Sequence, residues 1–134
     1  MFRLIKIENS GVNVPETVKL PKPASLTVKA GTALTLTGGY LTMCTSTSVP
    51  THISLEAAGS DKSAVYCYAV NGNMRFETTV SANPSSLSLG DKVTLSSDAN
   101  NCTVSVTATT TSGVATIVDL CSAKAVGDKV TVKF

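Results

Sequence analysis

Hydrophobic and polar residues alternate along this chain in short runs, and the runs are separated by turn residues. Residues 102–109 show it most clearly: Cys102, Val104, Val106 and Ala108 fall on one face and hydroxyl side chains on the other. Alternation with a period of two sets one face of a strand on a core and the other toward solvent. The same reading predicts strands over 1–8, 25–30, 32–37, 40–47 and 53–57. The runs 64–70 and 74–80 follow, with Asn71-Gly72-Asn73 between them. An Asn-Gly pair tolerates positive φ, so these two runs are expected to pair through a tight turn, with Met74, Phe76 and Thr78 on one face. Further strands are expected from Val93, over 102–109, over 114–120 and from Val130 to Phe134. Apolar residues do not recur at three-and-four spacing for long; 56–65 and 118–124 could each hold a single helical turn, without caps. Many short strands with close turn signals predict an all-β fold, a compact β-barrel or β-sandwich.

One turn signal occurs twice, as Gly-Asp-Lys-Val-Thr at 90–94 and at 127–131, with an echo in Gly-Thr-Ala-Leu-Thr at 31–35. The intervals between copies are unequal, which argues against a solenoid or propeller. Each copy reads as a turn into a strand. Glycine supplies the special backbone angle, Asp bonds its own turn, and Val93 and Leu95, or Val130, Val132 and Phe134, point inward.

Gly11, Pro15, Pro21 and Pro23 interrupt the region before residue 25. Proline at this density allows neither helix nor central strand and favours an extended path. The expected organisation is therefore an extended N-terminal arm or strand over 1–24 and one β-rich domain over 25–134. The arm could lie on another surface or pack on its own domain.

Composition narrows the picture further. The 134 residues suffice for one ordinary hydrophobic core. With no tryptophan and 4% aromatic residues, that core must be built from Val, Leu, Ile and Ala. Serine and threonine make up about a quarter of the chain, material suited to strands. The formal net charge of +2 is small and scattered, so no nucleic-acid partner is expected. No run nears the roughly 18 apolar residues of a membrane span, and no membrane contact is expected. The start lacks the uninterrupted apolar stretch of a secretory signal, so the chain is expected to be made and kept in a cytoplasm unless it is carried out as part of a larger particle.

Candidate chemistry is sparse. Cys44, Cys67, Cys102 and Cys121 are widely spaced, without Cys-x-x-Cys or a Cys-His pair, and read as small buried hydrophobes more than as disulfides or metal ligands. His52 is the only histidine and has no sequence signature of a nucleophile or orienting carboxylate around it. The carboxylates are scattered singly, and Asp98 to Asn101 reads as a surface turn that lacks the glycine and terminal Glu of a calcium loop. Tyr66 and Tyr68 flank Cys67 on the opposite face of one strand and read as core or interface residues. No catalytic, cofactor-binding or metal-ligating residue is predicted, no cofactor is expected, and the chain reads as non-enzymatic.

The succession of an extended N-terminal segment, Val-Lys-Ala-Gly-Thr-Ala-Leu-Thr-Leu, Thr-Ser-Val-Pro-Thr-His-Ile, Met-Arg-Phe-Glu-Thr-Thr-Val and the two Gly-Asp-Lys-Val-Thr units resembles small phage head decoration, or capsid cement, proteins. The four cysteines depart from that style. The resemblance implies a non-enzymatic β-rich body on the outside of a phage head, binding the major capsid protein. It also implies a homotrimer or other homo-oligomer, with residues 1–24 available to pair with the shell. The alternative is an immunoglobulin-like or carbohydrate-binding module of a phage tail or surface protein.

Overall fold

The computed structural model describes residues 1–8, 14–96 and 103–134. Eleven strands are present among them: β1 (Arg3–Ile7), β2 (Thr17–Pro21), β3 (Ala33–Thr37), β4 (Tyr40–Met43), β5 (His52–Ser54), β6 (Ala64–Ala69), β7 (Met74–Val80), β8 (Lys92–Leu95), β9 (Thr103–Ala108), β10 (Ala115–Asp119) and β11 (Lys129–Lys133). The described residues contain no helix, and the fold is all-β.

One sheet runs β1-β7-β11-β10-β8-β9, and β9 returns alongside β7 in parallel at Thr79↔Thr103 and Val80↔Val104. Strands β7, β11, β10, β8 and β9 thereby close into a five-stranded barrel. β1 lies antiparallel to the first half of β7, on the edge that β9 covers further along. Alternation fills the barrel: Met74, Phe76 and Val80 of β7, Val130 and Val132 of β11, Ile117 of β10, Val93 and Leu95 of β8, and Val104 of β9 are all buried in one cluster. Ala108, expected on that inner face, is exposed at the end of β9. Cys102 and the 98–101 turn lie outside the described residues.

The second sheet is inserted in sequence between β1 and β7, in the order β2-β6-β5-β3-β4. It curls, so that its edge strands β2 and β4 approach within 8 Å between Cα atoms. Its concave side encloses Val28, Leu34, Leu41, Ala58, Val65 and Cys67, while Ala33, Cys44 and Ile53 join the barrel's cluster. Two cores result where one was expected. They share a sheet because successive residues of a strand face opposite ways: Ala33 packs toward the barrel and Leu34 into the second core.

The repeated turns have one geometry. Gly31, Gly90 and Gly127 have φ of 75°, 89° and 86°. In each copy the residue after the glycine donates its N–H to the carbonyl three residues back: Thr32 to Lys29, Asp91 to Ser88, Asp128 to Ala125. An i-to-i+3 bond with positive φ at the third position is the pattern of a type II turn, which favours glycine there. The side chain after each glycine locks the turn. Asp91 Oδ2 accepts from Ser88 N at 2.8 Å, Asp128 Oδ2 from Lys124 N and Ala125 N at 2.8 and 2.9 Å, and Thr32 Oγ1 from Lys29 N at 3.2 Å.

Several local expectations require correction. The 64–70 and 74–80 runs are strands but not partners: β6 pairs with β2 and β5, and β7 with β1, β11 and β9. Gly72 does not adopt positive φ, and Met74 N bonds Asn71 O at 3.1 Å. An unprimed turn of this kind splays its flanking strands, which sends the chain from one sheet to the other. The two-residue hairpin is instead at Gly38-Gly39, both at positive φ, between β3 and β4. Residues 25–30 form no strand, only an isolated bridge of Val28 to Ala58. Residues 56–65 and 118–124 form no helical turn.

Of the 1–24 segment, β1 pairs with β7 and β2 with β6, so both described stretches are built into the chain's own sheets. Pro21 ends β2, an edge strand, where a missing N–H is tolerated. Phe2 is buried against Phe134 with ring centroids 5.3 Å apart, and its N–H bonds Gly31 O at 3.0 Å. The first residues therefore tie barrel to second sheet.

Candidate functional site

The sequence-designated residues do not converge. His52 opens β5, where its Nδ1 lies 2.8 Å from Thr51 Oγ1. Burial lowers its pKa below the ordinary value, partly opposed by the field of Glu16. Cys67 is buried in the second core and Cys44 against the barrel. Burial pushes each thiol up to about 12, with the Glu56 carboxylate adding to the effect at Cys67. Cys121 is exposed beside Thr131 Oγ1, at 3.6 Å. Among the described residues no three His, Cys, Asp or Glu side chains stand close enough to hold a metal ion. No described helix is long and apolar enough to cross a membrane.

Tyr66 and Tyr68 share one face of β6 but differ in burial. Tyr68, opposite Ile53, packs against the barrel cluster, while Tyr66 remains half exposed. Tyr66 forms the floor of an open cleft of about 410 Å³ with Lys19, Glu56, Asp61, Lys62, Ser63 and Ala64. The Lys19 ammonium stands over its ring, 5.3 Å from the centroid. Glu56 is held by Lys62 Nζ at 2.7 Å and by Tyr66 N–H at 3.2 Å, which lowers its pKa. Two cations and two carboxylates leave this cleft without net formal charge.

A second arrangement lies on the outer face of β1, β7 and β11, and the sequence reading passed over it. Arg3 and Lys129 both bridge Glu77, at 2.9 and 3.0 Å. Lys6 and Arg75 both bridge Glu8, the former at 3.6 Å. The hydrogen bond from Lys129, then the positive field of both partners, holds the Glu77 carboxyl below its usual range. The pairs come from strand register, since Arg3 lies opposite Glu77 and Glu77 opposite Thr131. In sequence these residues are scattered, and only the β1–β7–β11 pairing gathers them.

With this geometry in hand, solved structures supply a likeness. The N base of head fiber gp8.5 in bacteriophage phi29 matches with a TM-score of 0.59, over 89% of this chain and 94% of that one. The chain shares its fold with a phage head-fiber base. Sequence identity is 15%, so the likeness is one of fold. No protein-family model and no curated protein sequence matches the chain. The resemblance to phage head proteins carried by the strand pattern is thus met by the crystal structure of a phage head component.

Proposed function

We propose that this chain is a non-enzymatic structural protein of a phage virion, seated on the capsid surface and stabilising the shell. The observation that carries the reading is the shared fold with a phage head-fiber base along nearly the whole of both chains. The partner in this reading is the major capsid protein, and the chain acts as a homotrimer or other homo-oligomer. Residues 1–24 contribute through the outward side of β1, because its other edge is engaged with β7 and Phe2 is sunk in the core. Contacts that are weak singly become tight when copies are arrayed on a lattice.

The test is addition of the purified protein to heads from a phage lacking it. Stoichiometric, saturable binding and a rise in the temperature at which heads open are expected. Heads that neither bind the protein nor gain thermal resistance would remove the reading. Light scattering on the free protein measures the oligomer, and a strict monomer both free and on heads would remove that part.

A further inference from the structure

We propose that the outer face of β1, β7 and β11 docks onto an acidic protein surface; the inference rests on the head-protein reading, in which that surface belongs to the shell. Each of the two carboxylates on this face is shared by two cations. Glu77 lies between Arg3 and Lys129, and Glu8 between Lys6 and Arg75. One positive charge per triad is left uncompensated. Around Glu8 that excess is offset, because Asp119 lines the same depression as Lys6, Glu8 and Arg75; around Glu77 it stands, since among the described residues no second carboxylate lines the depression between Arg3 and Lys129.

Exposure points the same way. The side chains of Arg3, Lys6 and Lys129 are 60%, 65% and 60% exposed, against 20% for Glu77 and 33% for Glu8. Glu77 lies low between Arg3 and Lys129, which stand outward where an approaching anion meets them first, whereas Arg75, 12% exposed, is more buried than its partner Glu8. Such pairs add little to stability at an exposed site, but a preset charge pattern steers and selects a partner. Between Arg3 and Lys129 lies a depression of about 200 Å³ lined also by Met1, Glu77, Thr78 and Thr79. Exposed Met1 and Ile5 add apolar contact at the same face.

Charge complementarity selects the occupant. A second copy meeting this face across a two-fold axis would set the same positive excess against itself. A nucleic acid draws its affinity from many phosphate contacts, and this face offers a small excess broken by two carboxylates. A protein surface bearing a few carboxylates and apolar side chains fits both the charge and the exposed Met1 and Ile5.

The test compares wild type, Arg3→Glu/Lys129→Glu, Lys129→Ala and, as a control on another exposed cation, Lys124→Glu, for binding to heads lacking the protein. The double reversal is expected to bind at least about tenfold more weakly, mainly through slower association, and wild-type binding to weaken with added salt. Lys129→Ala should lose less, and Lys124→Glu nothing. Should the double variant not fold, Lys129→Ala and the salt series decide alone. Wild-type binding that neither salt nor these variants alter would overturn the inference and leave the head-protein reading intact; no binding by wild type would overturn both. Equal retention on duplex DNA, or self-association lost in the same variants, would overturn it in favour of those occupants.

Discussion

Three glycines with nearly the same backbone angle should respond differently to alanine. Gly31, Gly90 and Gly127 all sit at positive φ, where a Cβ costs about 1–2 kcal/mol. At Gly90 and Gly127 an added Cβ meets nothing within 4 Å, so that strain is the whole cost. At Gly31 it meets Met1 Cγ, Phe2 O at 2.6 Å and Phe2 N at 2.9 Å. The Met1 side chain can swing aside, but the Phe2 backbone is pinned by its bond to Gly31 O and by the burial of its ring against Phe134. Relief therefore requires lifting the start of β1, with loss of a hydrogen bond worth about 1 kcal/mol and part of the ~3–5 kcal/mol of a buried phenylalanine. Gly31→Ala should cost ~3–5 kcal/mol, against ~1–2 for Gly90→Ala or Gly127→Ala, by denaturant unfolding. In the background of Phe2→Ala the anchor is gone, and Gly31→Ala should fall back to about 1–2 kcal/mol. Three alanine variants equal within about 0.5 kcal/mol, or strict additivity with Phe2→Ala, would refute the tie between β1 and the second sheet.

Two further outcomes follow from the titrating groups. Cys121, being exposed, should alkylate in the folded protein, whereas Cys44 and Cys67, buried and with thiols pushed up to about 12, should label only on unfolding; site-resolved mass spectrometry checks this, and fast labelling of Cys67 in the folded protein contradicts its place in the second core. Asp128 has its pKa lowered by N–H bonds from Lys124 and Ala125, and Glu77 by Lys129 and Arg3. A carboxylate depressed on folding stabilises at any pH above its unfolded value, about 4, and loses that contribution as pH falls through the folded value. Thermal stability should accordingly decline below about pH 4. Asp128→Asn, which keeps an acceptor without the charge, should flatten that decline; an unchanged acid limb would discount the turn carboxylate.

What the chain reveals without coordinates is which side of a strand is buried, and seldom which strand lies beside it. Met74, Phe76, Val93, Leu95, Val130 and Val132 face inward as their alternation requires. The positive φ of Gly90 and Gly127 was equally legible, because glycine before Asp and a β-branched run has a local reason to be there. Asn71-Gly72 misled because the same dipeptide also suits an unprimed turn, and the choice is made by sheets its neighbours join from afar. β2 was hidden by its prolines, which bar a central strand and leave an edge open. Residues 25–30 alternate well enough, yet Leu26 N–H turns back to Pro23 O and the buried Lys22 Nζ binds Leu26 O at 2.7 Å. Their backbone is committed to a turn before it can reach a neighbouring strand.

The same logic bears on the charged face and on the first eight residues. Strand order is non-local, so Arg3, Glu77 and Lys129 have no reason to be read together until β1, β7 and β11 are neighbours. The N-terminal segment, which its prolines present as a separable arm, spends its inner edge on β7 and its first aromatic on the core. An extended strand has two edges and two faces, and burying one of each leaves the others to meet a partner. The outward side of β1 keeps Arg3, Ile5 and Lys6 exposed. A segment can thus complete its own fold and still carry the contact for which an arm was expected, provided that the contact is made by side chains rather than by donating the strand.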